Sequence, residues 1–104
     1  HVEIGTRQAI ANRIFQLCDE HHITPNGLAN LSGVPQSTIN SILNGKSRHP
    51  GAITIKKLCD GLGITLGEFF NTPEFDNLEQ EIKKFAVRQV RTALLYLFSH
   101  IYAS

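Results

Sequence analysis

One short stretch carries the side chains best suited to recognition by hydrogen bonding. Gln36, Ser37, Asn40, Ser41 and Asn44 fall at spacings that place them on one face of a helix, opposite Ile39, Ile42 and Leu43. All five are short, uncharged and able both to donate and to accept. An exposed helix face ordinarily carries Lys and Glu, so this one is either a surface built to pair with planar donor and acceptor groups or a face that meets only water. Catalysis is not expected, because no nucleophile–base–acid set and no phosphate-cradling glycine loop accompanies these residues. Cys18 and His22 stand one helical turn apart, as metal ligands can. Zinc takes four ligands in a closed site and no second pair stands out, so neither metal nor cofactor is expected. His21 and His22 read better as a helix ending whose last carbonyls they meet.

The polar face needs a scaffold, and the stretch from Ile23 to Lys46 supplies one. Thr24 is an N-cap residue, and Pro25 stands at the first helical position, where its missing N–H costs nothing. Leu28, Ala29 and Leu31 give this helix an apolar face. Ser32-Gly33 stops it, since glycine tolerates the left-handed backbone of a sharp reversal. Val34 plugs the turn, Pro35 opens a second helix through Ile39, Ile42 and Leu43, and Asn44-Gly45 ends that helix.

Other helices must cover these two. Residues 1–6 read as a frayed arm ending in Thr6, an N-cap for a first helix running from Arg7 to about His22, with Ala9, Ile10, Ile14, Phe15, Leu17 and Cys18 inward. Lys46-Ser47-Arg48-His49-Pro50-Gly51 is a basic loop. Thr54 is read as the cap of a fourth helix with Ile55, Leu58, Cys59 and Leu62 inward, ended by Gly61 or Gly63. Thr65 caps a short fifth helix whose Leu66, Phe69 and Phe70 pack back. Asn71-Thr72-Pro73 is the strongest boundary signal. From Pro73 or Glu74 a final helix is expected to reach Ser99 or beyond.

A chain of 104 residues suits one modest core. The net charge of +1 says little about partners, but its distribution does. No Asp or Glu lies between His21 and Cys59, while Lys46, Arg48, Lys56 and Lys57 do, which makes that part of the chain a surface polyphosphate would favour. Lys56 and Lys57, near a helix middle, are more often solvated than in contact. Cys18 and Cys59 read as buried, reduced thiols of a cytoplasmic protein. No signal peptide and no membrane-spanning run is recognised.

The ordered set Ile23-Thr24, Leu28-Ala29, Leu31-Ser32-Gly33-Val34, Ser37-Thr38-Ile39, Ile42, Asn44-Gly45-Lys46, Pro50, Leu58, Leu62-Gly63-Ile64 and Leu66, Glu68, Phe69 resembles the lambda-repressor-like, Cro/C1-type (XRE) helix-turn-helix family over roughly residues 7–70. The resemblance implies an all-α fold. A five-helix DNA-binding domain would span residues 1–72, with the motif at about 24–45, followed by a C-terminal helical extension over 73–104. It also implies a transcriptional regulator, expected to be a repressor, whose second motif helix (about 35–44) enters the major groove of double-stranded DNA. Gln36, Ser37, Asn40 and Ser41 would read bases; Gln and Asn can pair with adenine, and no Arg is present to read guanine. Part of the selectivity of an A·T-leaning half-site would then come from DNA shape. Thr24, Asn26, Thr38, Asn44, Lys46 (backbone and ammonium) and Arg48 would face the phosphates, with Thr38 also placed to buttress the backbone or touch a thymine methyl. One departure stands out: helix two in this family often begins with a phosphate-binding Gln, where this chain has Pro25, so that contact passes to Thr24 or Asn26.

Beyond the resemblance, Leu78, Ile82, Phe85, Ala86, Val90, Ala93, Leu94, Leu97 and Ile101 form an apolar stripe at helical spacing, and Lys83, Lys84, Arg88 and Arg91 its basic side. Fold-back onto the core, pairing with a second copy, lying on an anionic membrane and being foreign to the rest of the chain are the competing accounts. Homodimerisation is preferred, because five consecutive apolar or aromatic residues from Leu94 to Phe98 need burial. The rival function is an antitoxin-like module that chiefly engages a protein partner and binds DNA only secondarily.

Overall fold

The computed structural model describes residues 5–47, 49–82 and 93–101. The amino-terminal arm, Arg48 and the tail residues Lys83, Lys84, Phe85, Ala86, Arg88, Val90 and Arg91 lie outside them. Among the described residues the regular structure is all helical: α1 (Thr6–Glu20), α2 (Pro25–Ser32), α3 (Gln36–Leu43), α4 (Ala52–Leu62), α5 (Leu66–Phe70) and α6 (Pro73–Asp76). Residues 93–101 are helical as well.

Local chemistry sets most boundaries. The Thr24 hydroxyl accepts from the Gly27 N–H at 3.0 Å, with Pro25 opening α2, so one of the helix's orphan donors is satisfied. Gly33 closes α2 at φ 70°, in the left-handed region that a side chain would strain. Val34 is buried beneath the turn, its N–H bonded to the Ala29 carbonyl at 3.1 Å. Thr65 and Glu68 form a reciprocal capping box at the start of α5. Gly63 closes α4 at φ 72°.

Several expectations are corrected. The cap of α1 is Gly5, and Thr6 is already helical; its hydroxyl donates instead to Glu81 at 2.7 Å. Thr54 lies inside α4, whose cap is Gly51, because the first helical bond runs from the Ile55 N–H to the Gly51 carbonyl. Gly61 does not end α4 but sits within it. A Cβ there would lie 2.9 Å from the Ser32 Cβ and 3.0 Å from the Ser32 Cα, so its absence lets α4 and α2 touch. Phe15 and Leu31 are exposed rather than inward. By helix spacing Phe15 lies about 60° from buried Cys18 and Leu31 about 60° from buried Leu28, at the margin of each inward face, where the neighbouring helices leave them open. Leu66 and Phe70 are only partly covered, Phe70 standing edge-on to Phe69 and Phe75 at ring separations of 4.8 and 4.9 Å.

The largest correction concerns the helix expected from Pro73 onward. It stops at Asp76, and residues 77–82 are not helical. Leu78 and Ile82 therefore belong to no helical stripe. Asp76 and Asn77 are poor helix formers, and three tertiary contacts compete with helix continuation. Phe75 packs on the aromatic cluster, the Glu74 carboxylate accepts from Asn12 at 3.1 Å, and Glu81 accepts from Thr6.

The core draws on every helix from α1 to α5: Ile10, Ile14, Leu17 and Cys18 of α1, Leu28 and Ala29 of α2, Ile39 and Ile42 of α3, Ile55, Leu58 and Cys59 of α4, and Phe69 of α5. Burial of each large side chain contributes about 1.5–3 kcal/mol. Arg13 ties α5 to α1, donating to the carbonyls of Phe69 at 2.7 Å and Glu68 at 2.8 Å, where the end of a helix is electronegative.

Candidate nucleic-acid interface

The apolar side of helix α3 seats it on the core. Ile39 and Ile42 are buried against α1 and α2, and the turn at Gly33 to Pro35 fixes how α3 leaves α2. The opposite side is left outward, with Gln36, Ser37, Asn40 and Asn44 exposed and Ser41 and Thr38 half-buried at its margin. No carboxylate stands between His21 and Cys59, so this side meets an approaching anion without an acidic neighbour from its own segment.

Two of the outward groups are pre-positioned. The Gln36 amide donates to the Asn30 side chain at 3.5 Å, so a residue of α2 orients the first side chain of α3. Asn30 was not among the sequence candidates; the available signal was an exposed amide on the last turn of the preceding helix. At the other end Asn44 caps α3, and its side-chain oxygen accepts from the Lys46 N–H at 3.1 Å. The Lys46 N–H, read from the sequence as a phosphate donor, is therefore already engaged, while its ammonium and the Asn44 amide N–H groups stay available. Gly45 turns the chain at φ 85°, and the Ser47 N–H returns to the Ser41 carbonyl at 2.9 Å. The loop after α3 thus has a defined shape.

The helix starts contribute donors as well. At α3 the Thr38 and Ile39 N–H groups both go to the Pro35 carbonyl, leaving those of Gln36 and Ser37 as first-turn donors. At α2 the Gly27 and Leu28 N–H groups are taken by Thr24 and Pro25 has none, which leaves Asn26. Lys56 pairs with Asp60 one turn along α4, so its charge is largely answered; Lys57 is exposed.

A cation of α1 also reaches this end of α3. The Arg7 guanidinium donates to the Ile42 carbonyl at 3.5 Å and to the Gln8 side chain at 3.0 Å, and a Cβ on Gly45 would lie 3.4 Å from its Nη1. Sequence reading gave α1 no part in the surface. The signal was there: a cation in the first helical turn faces the positive end of the macrodipole and asks for a compensating partner. Cys18 and Cys59, by contrast, are free thiols buried in the core, so Cys18 presents nothing to His22 at the surface. Burial pushes both thiols up from their ordinary value.

Comparison with known proteins bears on the fold. A family model described as helix-turn-helix matches residues 14–69, more than half of the chain. The crystal structure of the prophage Lp1 protein 11 is similar, with a TM-score of 0.65 and 30% identity over 74% of this chain and 100% of that one. Among curated proteins none matches.

Proposed function

The chain belongs to the XRE-type helix-turn-helix family of DNA-binding transcription regulators, and from that premise we propose that it is a sequence-specific repressor reading the major groove with α3. The observation that carries the reading is the outward face of α3: hydrogen-bonding side chains supported from behind by buried Ile39 and Ile42, with the first of them oriented by Asn30. Gln36, Ser37, Asn40 and Ser41 read base edges. Thr24, Asn26, Thr38, Asn44, Lys46 and Arg48 engage the flanking phosphates, Lys46 through its ammonium. A bound domain blocks its stretch of duplex to other proteins, and that occlusion is the repression. The unit doing this comprises residues 1–72 with the contacts that Phe75 adds on the aromatic cluster and Glu74 on Asn12 of α1.

The active species is a homodimer paired through the extension over 73–104, because Leu94, Leu95 and Leu97 of the terminal helix are more than half exposed and apolar surface of that extent demands burial. Its two α3 helices would lie about 34 Å apart, one turn of DNA, on a pseudo-palindromic site. The same exposed face favours a second reading, in which an antitoxin-like chain uses it to hold a different protein.

Selection of bound sequences from random duplex DNA, followed by binding isotherms, tests the proposal. Gln36→Ala should cost about 1–3 kcal/mol on the selected site and relax one base position. Lys46→Ala should weaken selected and scrambled duplexes alike and lower the salt slope by about one unit. Equal losses on both duplexes for Gln36→Ala would remove it from the reading set.

A further inference from the structure

We propose that Arg7 is a further phosphate-binding residue, extending the interface from the α3 loop onto the start of α1. The inference rests on the DNA-binding reading above and adds a contact from a different helix. Arg7 lines a groove with Thr6, Gly45, His49, Pro50 and Glu81, so its guanidinium stands beside the loop that follows α3 rather than among the solvated side chains of α1. Two of its five N–H groups are spent, on the Ile42 carbonyl and the Gln8 amide oxygen, and both acceptors are neutral. Among the described residues no carboxylate pairs with it within salt-bridge distance, so the full charge and three donors remain.

The Ile42 carbonyl belongs to the last turn of α3, the electronegative end, and this holds the guanidinium in place without neutralising it. Holding matters, because an anchored fork loses less side-chain entropy on binding a phosphate than a free lysine does. Gly45 is part of the same arrangement: with no side chain it leaves the guanidinium in contact with the turn. Glu81 is the opposing charge of the groove. Its carboxylate is bonded to Thr6, and it would repel a phosphate that Arg7 attracts.

The test uses the full chain, a labelled mixed-sequence duplex two helical turns long, and fluorescence anisotropy over a salt series. One phosphate contact is worth about 0.9 in the slope of log K against log salt. Arg7→Gln should lower the slope by that amount and Arg7→Lys should keep it, whereas removal of a purely structural cap would shift melting temperature and leave the slope alone. An unchanged slope in Arg7→Gln, or an equal loss in Arg7→Lys, overturns the proposal. Should Arg7→Gln melt below the assay temperature, Glu81→Gln decides: tighter binding is expected, and unchanged binding overturns the assignment. If the wild-type chain shows salt-dependent binding that Lys46→Ala reduces while Arg7→Gln does not, only the Arg7 contact fails. A wild-type chain with no salt-dependent binding would overturn the DNA reading itself.

Discussion

At the scale of the residue, the two cysteines show how burial decides chemistry. Cys59 is fully buried, and its thiol is pushed up by desolvation first and by Asp60 second, with Lys56 and Arg13 opposing. Cys18 is raised by burial alone. A thiol whose folded pKa exceeds its unfolded value stays protonated in the fold after the unfolded chain has ionised. Its contribution to stability is complete below the unfolded value, about 8.5, and is lost as pH rises above it. Denaturant midpoints should therefore fall progressively from pH 8 toward pH 10, and replacing both cysteines with Ala should flatten that fall. Alkylation with iodoacetamide at pH 8 should be at least about tenfold slower in the native protein than in denaturant, since the reactive species is the exposed thiolate. Equal alkylation rates would mean that the core opens far more readily than its packing implies.

At the scale of the element, the contact of α2 with α4 depends on a missing side chain. Gly61→Ala would gain about 1 kcal/mol of helix propensity, yet its methyl would press on the Ser32 backbone, an overpacking that costs about 1–3 kcal/mol. The net expectation is a lower urea midpoint. Gly67→Ala in α5 is the matched control. There the new methyl meets only the Thr65 hydroxyl at 3.7 Å, so propensity should dominate and the midpoint should rise or hold. If the two variants behaved alike, the α2–α4 contact would be looser than described. Because α2 and its turn set the angle at which α3 is presented, the damage in Gly61→Ala should also reach DNA affinity.

At the scale of the whole molecule, the terminal helix carries Leu94, Leu95 and Leu97 more than half exposed. Truncation after Lys83 leaves the core residues from Ala9 to Phe75 intact and should give a folded domain. On the dimer proposal that domain is monomeric by light scattering and binds its palindromic site more weakly than the full chain. A truncated chain that stays dimeric would put the interface within the first 83 residues.

What the sequence determined by itself was local. Thr24 with Pro25, Gly33, Gly45, Gly63 and Thr65 each act within a few residues of where they stand, so these caps and turns were legible without tertiary knowledge, whereas Thr6 and Thr54, cap residues by type, lie inside their helices. Periodicity likewise marked Ile14, Leu28, Ile39, Ile42, Leu58 and Phe69 as core. The tertiary structure alone decided what depends on distant pairs. Thr6 meets Glu81 and Asn12 meets Glu74, and with Phe75 on the aromatic cluster these contacts draw residues 73–82 onto α1 where spacing had suggested one long helix. Phe15 and Leu31 are apolar yet outward, because a helix contributes only the face its neighbours cover. Arg7 reaches the end of α3 across 35 positions of sequence, and Gly61, by type a residue that ends helices, is instead the point where α4 touches Ser32. Helix propensity and capping are short-range energies of about 1 kcal/mol that the chain carries with it wherever it goes. Which faces meet, and which side chains spend their hydrogen bonds on one another, is settled only when the helices pack.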